Sequence, residues 1–110
     1  MNVIEECKKR NPETVKEFEK ILNEMLETFC KKQLDYGPQN ITLGGDLNIK
    51  EDKDFALVGL WMRMNDKMQR IKNIILTNKK TQNEPLEDSW LDLSVYAIIS
   101  RIVDKKIWGK

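Results

Sequence analysis

Leu57, Leu60, Trp61, Met64, Met68, Ile71 and Ile75 recur at three- and four-residue spacing between two polar stretches. That period belongs to an α-helix, because residues three and four apart share a face at 3.6 residues per turn, whereas a half-buried strand needs strict alternation. The stripe predicts a helix from about Asp54 to Thr77. A second stripe, Val15, Phe18, Leu22, Met25 and Phe29, follows Asn11-Pro12-Glu13, which supplies an N-cap, a proline at the first helical position and an acid in the first turn. This helix should run to about Leu34, where Gly37-Pro38 stops it. A third helix fits from Pro85 onward, through Leu86, Trp90, Leu93, Ala97, Ile98, Ile102 and Val103. It is apolar around most of its girth, as expected of a helix central to its bundle or seated at an oligomer interface. The fold class is therefore all-α, a helical bundle of three long helices plus a short N-terminal helix near residues 3 to 9, completed by oligomerisation.

The 110 residues fit one domain, 1 to 110, able to bury a core without disulfide or metal staples. No repeat or low-complexity tract divides it. Residues 37 to 53 form a long, glycine-rich connection, and a short strand pair at Ile41 to Leu43 and Leu47 to Ile49 fits across Gly44-Gly45, although an isolated hairpin is marginal. Asn78 to Asn83 is polar and closes the second long helix.

Charge and cysteine content narrow the partners. Lys+Arg 19 against Asp+Glu 18 gives a net charge of +1, with no global pull toward a nucleic-acid polymer or an anionic membrane. Cys7 and Cys30 lie far apart and the chain has no histidine, so zinc is not expected. No apolar run approaches the roughly 18 residues of a membrane span. The charged opening, Met1 to Arg10, is unlike a signal region, and a cytoplasmic location is expected.

Glu84, Asp88 and Asp92 carry the main chemical signal. If all three are helical, they fall at about 0°, 40° and 80° on the wheel, one ribbon of carboxylates flanked by Leu86, Trp90, Leu91 and Leu93. Acids so arranged repel unless a cation neutralises them, and magnesium suits oxygen ligands and keeps phosphate oxygens in its shell. Stabilisation of the helix dipole accounts equally well for Glu84, Glu87 and Asp88, but not for Asp92, two turns in.

On the second long helix, Arg63, Lys67 and Arg70 fall within about 60° of one another, opposite the Met64, Met68, Ile71 and Ile75 stripe, with Asp66 beside them. One reading is a cationic grip on phosphate, with Asp66 as a further metal ligand. The other is a solvated face laced by an Asp66 to Arg70 ion pair at i, i+4. At the end of the first long helix, Lys32, Asp35, Tyr36 and Gly37 read either as simple termination or as a base site, Tyr36 stacking and Lys32 or Asn40 reaching the base edge or the ribose.

Taken together, Lys32-x-x-Asp35-Tyr36-Gly37, Arg63-x-x-Asp66-Lys67-x-x-Arg70 and Asn83-Glu84-Pro85-x-Glu87-Asp88-x-x-x-Asp92-Leu93-x-x-Tyr96 resemble the phage nucleotide-modification-associated domain family, over about residues 30 to 107. The chain is also distantly similar to the all-α nucleoside triphosphate pyrophosphohydrolases of the MazG and dimeric dUTPase type. The resemblance implies a nucleotide or nucleotide-derived ligand, magnesium, a homo-oligomer and a phage genome. Carried onto this chain, it gives a hydrolase of a nucleoside triphosphate or related phosphoanhydride. Glu84, Asp88 and Asp92 would hold magnesium, Asp66 or Glu87 would orient water, and Lys32, Asp35, Tyr36, Asn40, Arg63, Lys67 and Arg70 would bind substrate. Those hydrolases pair an E-E-x-x-E helix with an E-x-x-D helix; here the second long helix offers Asp66 alone, and Glu24-x-x-Glu27 is the other candidate pair. The thinner acidic set makes the alternative a non-catalytic phage anti-defence sponge that sequesters a nucleotide immune signal.

Overall fold

A computed structural model describes residues 2–78 and 80–110; Met1, and Lys79 of the polar stretch after the second long helix, lie outside the described residues. Among the described residues the chain forms five helices and no strand: α1 (Val3–Arg10), α2 (Pro12–Tyr36), α3 (Gln39–Thr42), α4 (Lys50–Thr77) and α5 (Leu86–Asp104). This is one helix more than expected, the extra being the four-residue α3. The chain divides into two compact units, Met1–Leu34 and Asp35–Lys110. No helix among the described residues is long and apolar enough to cross a membrane.

The first unit is built by its caps. Asn2 Oδ1 accepts from the Glu5 amide at 2.9 Å and starts α1. Asn11 then ends one helix and begins the next: its amide donates to Cys7 O at 2.8 Å and its carbonyl accepts from Val15 N at 3.1 Å, ahead of Pro12 at the first position of α2. Lys8 Nζ meets Glu19 Oε1 at 2.9 Å across the two helices. α1 buries no residue, and Met25 is the buried residue of α2.

The second unit contains the main core. Ala56, Leu60 and Ile71 of α4 and Ile99 and Val103 of α5 are buried, Leu60 and Val103 almost completely. α3 packs against α4, burying Ile41 and Thr42. Trp108, 7% exposed, folds back from the end of α5 and donates its Nε1–H to Pro38 O at 2.9 Å, tying the chain terminus to the start of α3.

Two local expectations change. The strand pair does not form: Ile41 lies in α3, Leu43 and Gly44 take left-handed conformations, and Gly45 N bonds Thr42 O at 2.9 Å, closing a turn. Side chains then compete for the backbone that a hairpin would need. Asp46 Oδ1 accepts from Asn48 N and Asp52 Oδ2 accepts from Asp46 N, both at 2.9 Å, so the segment leads directly into α4, which begins at Lys50, four residues earlier than the apolar stripe marks. At the other end, Pro85 has ψ 149° and stands before the first turn of α5, which leaves Glu84 outside the helix.

Candidate functional site

α4 and α5 run antiparallel, and their interface changes character along its length. At one end the register sets Leu60 level with Ile99 and Ala56 level with Val103, all buried. At the other, Arg63, Lys67 and Arg70, spaced i, i+4 and i+7, meet groups that descend α5 in the opposite order, Tyr96, Asp92 and Ser89. The result is a ladder of three polar rungs in line with an apolar core.

In the first rung Arg63 Nη2 donates to the Asn40 carbonyl at 2.8 Å, and its guanidinium lies 5.8 Å from the centroid of the Tyr96 ring, within cation–π range. Asn40 is half-buried, and its own Oδ1 is inaccessible to solvent and has no hydrogen-bond partner among the described residues. In the middle rung Lys67 Nζ lies 3.0 Å from Asp92 Oδ2, with side chains 25% and 15% exposed. The hydrogen bond that the Lys67 ammonium donates to Asp92 holds it above its ordinary pKa, against the opposing effect of partial burial; the charge of Asp92 adds to the rise, with smaller contributions from Tyr96 and Glu84. In the third rung Arg70 Nη1 donates to Ser89 Oγ at 2.5 Å and Nη2 donates to the Glu84 carbonyl. Ser89 is fully buried.

Of the residues expected to act together, Asn40, Arg63, Lys67, Arg70 and Asp92 are brought to this ladder. The cations do not form a solvated face. They turn inward because Ala56 and Leu60 lie within about 60° of Arg63 on the helical wheel, so the face that buries the core also carries the charges. Arg70 reaches α5 instead of pairing with Asp66, which is exposed. The carboxylate ribbon shortens. Glu84 contributes its carbonyl to Arg70 from outside α5; Glu87 and Asp88 are exposed in the first turn; only Asp88 and Asp92 remain one turn apart on a common helix. No three histidine, cysteine, aspartate or glutamate side chains among the described residues stand together as a metal site. With Asp92 held by the Lys67 ammonium and Glu84 off the helix, this chain's residues as placed do not fit a magnesium ion gripped by three protein carboxylates. Lys32 belongs to the first unit; Asp35 and Tyr36 begin the second, and Tyr36 is 68% exposed.

Two members of the ladder carried no assigned role in the sequence. Ser89 is a small hydroxyl residue within a run of large apolar ones, which is the signal of a polar group placed at a helix interface to satisfy a partner. Tyr96 lies seven residues beyond it on the same face. Comparison with protein-family models, curated proteins and solved structures gives no match.

Proposed function

We propose that the chain is a nucleotide-binding protein whose ligand docks on the α4–α5 ladder, and that it holds this ligand intact. The supporting observation is the Asn40 Oδ1 atom. A buried acceptor without a donor is unfavourable by about 1–3 kcal/mol, and such groups in native proteins usually have a partner to meet. Here it adjoins an arginine already oriented by the Asn40 carbonyl and by the Tyr96 ring. The oxygen is closed to solvent as the chain stands, so a ribose hydroxyl or a base amino group would reach it only with a shift of the α3 segment that carries Asn40. Lys67 and Arg70 continue the line from Arg63 over about 10 Å of helix, and a run of phosphates there would take them over from Asp92 and from Ser89 and the Glu84 carbonyl. Arginine forks match phosphate oxygens in two-bond geometry, and the lysine adds a compact charge.

Sequestration is favoured over turnover because the carboxylates that would orient water are dispersed: Asp66 and Glu87 are exposed, and Asp92 is engaged by Lys67. Hydrolysis of a phosphoanhydride is the second reading, favoured by Asp88 standing one turn before Asp92 on the same side of α5. The resemblance to phage nucleotide-modification-associated domains supports the ligand class in both.

Mass spectrometry of small molecules released from the purified protein by denaturation, with calorimetry against nucleoside mono- and triphosphates and cyclic dinucleotides, tests the reading. A nucleotide recovered unchanged, and bound at least tenfold more weakly by Arg63→Ala, is the expected result. No binding to any member of the panel would refute nucleotide binding; recovery of cleaved product alone would refute sequestration.

A further inference from the structure

Apart from the ladder, the unit Asp35–Lys110 contains a recess of about 370 Å³, within the range of small-molecule pockets, about 300–1,000 Å³. Two segments distant in sequence wall it: the stretch from α3 to Asn48, and residues 106 to 110, which follow α5. Trp108 joins the walls through its bond to Pro38 O, and Gly109 lies so near Pro38 that a Cβ added to it would stand 3.0 Å from the proline Cβ. The recess shares no residue with the ladder.

Donors on these walls lack partners. Thr42 is 9% exposed, yet its hydroxyl makes no hydrogen bond among the described residues. The hydroxyls of Thr77, Ser94 and Ser100 each donate to the carbonyl four residues back. For Thr42 that carbonyl is Pro38 O, which already accepts from Ile41 N, Thr42 N and Trp108 Nε1, so its lone pairs are taken. The amides of Gly44, Leu47 and Gly109, drawn from both walls, likewise have no acceptor among the described residues. Lys106 and Lys110 supply the charge. Neither forms an ion pair among the described residues, and they stand against one lining acid, Asp46, whose Oδ1 is engaged by the Asn48 amide.

We propose that this recess binds a small phosphomonoester, with Lys106 and Lys110 neutralising its phosphate and the Thr42 hydroxyl donating to a phosphate oxygen. Such a group carries about −1.5 to −2 charges near neutral pH and presents three strong acceptor oxygens. That demand matches two unpaired ammonium groups, one unpartnered hydroxyl and the free amides of the walls. A single carboxylate carries one charge and leaves one of the lysines unmatched.

Nuclear magnetic resonance spectra of the isotope-labelled full chain test the site by titration with inorganic phosphate, glycerol phosphate and acetate at constant ionic strength. Saturable shifts at the Gly44, Leu47 and Gly109 amides and at the Trp108 indole N–H are expected with both phosphates, and binding weaker by about tenfold with acetate. The double variant Lys106→Gln/Lys110→Gln should weaken phosphate binding by about tenfold. Thr42→Val should weaken it by about threefold while the urea midpoint stays level or rises, because the variant removes a buried hydroxyl that has no partner. Shifts that do not saturate, that persist at full strength in the lysine double variant, or that acetate reproduces at equal concentration overturn the proposal. Shifts confined to Arg63, Lys67 and Arg70 overturn it as well, and leave the ladder reading standing.

Discussion

Separating Lys67 from Asp92 is the most direct probe of the ladder. Their side chains are 25% and 15% exposed and 3.0 Å apart, between an exposed ion pair, worth about 0–1 kcal/mol, and a fully buried one, whose disruption costs about 3–5 kcal/mol. Lys67→Met leaves a carboxylate facing an apolar side chain, and Asp92→Leu leaves an ammonium in the same position; each should cost about 2 kcal/mol. With a urea dependence of about 1.3 kcal/mol per molar for a unit of this size, the midpoint falls by roughly 1.5 M. Trp61, Trp90 and Trp108 all lie in Asp35–Lys110, so intrinsic fluorescence follows the unit that contains the pair. The double variant Lys67→Met/Asp92→Leu replaces the pair with apolar contact and should return to within about 1 kcal/mol of the wild type. If both single variants unfold within about 0.3 M of the wild type, or if the two losses simply add, the rung does not hold α4 against α5 and the reasoning fails.

The same pair sets a pH dependence. Because the folded state raises the Lys67 pKa, its stabilisation is fully present below the unfolded lysine value and is lost as pH climbs through the higher folded value; the urea midpoint between pH 8 and 11 should therefore fall more steeply for the wild type than for Lys67→Met. Trp108→Ala removes a buried ring and the hydrogen bond to Pro38 O, and should cost about 3 kcal/mol by urea unfolding, with Trp108→Phe recovering more than half of that. Gly45→Ala places a Cβ 3.1 Å from the Thr42 carbonyl and 3.1 Å from Asp52 Cβ, a crowding expected to lower the urea midpoint by an amount equivalent to about 1 kcal/mol. Asp52→Ala deprives the Asp46 amide of its acceptor ahead of α4 and should destabilise by about 1 kcal/mol, seen as faster amide exchange at Asp46 in nuclear magnetic resonance spectra.

The helices were legible because their signals are local. Asn11-Pro12, the 3-4 spacing from Val15 to Phe29 and the Gly37-Pro38 break mark α2 from neighbouring residues alone, and it spans Pro12–Tyr36. The connection from Gly37 to Ile49 was not legible in the same way. Its two apolar triplets suit a hairpin, but Asp46 and Asp52 take the amides that would enter a ladder, and Trp108, seventy residues beyond Pro38, fixes the start of α3 from outside the segment. No window on the sequence short enough to show a period could have contained that contact.

The site required knowledge of which side of α4 faces α5, and hydrophobicity alone pointed to the wrong side. Its most continuous apolar stripe, through Trp61, Met68 and Ile75, is substantially exposed, and the face that carries Arg63, Lys67 and Arg70 turns inward. Burying cations requires acceptors, and α5 provides them at matching intervals: Tyr96, Asp92 and Ser89 stand four and three residues apart, as Arg63, Lys67 and Arg70 do. Asp92, which seemed anomalous as an acid two turns into an apolar helix, is explained by Lys67 as well as by any metal. A helix face is therefore best judged by pairing the polar residues of two helices at equal spacing, because a half-buried charge is stable only opposite a group that satisfies it. Tested this way, the ladder is closed in its middle rung by Lys67 and Asp92, whereas at its Asn40 end one buried oxygen meets no donor among the described residues, so the two ends of one helix face are satisfied unequally.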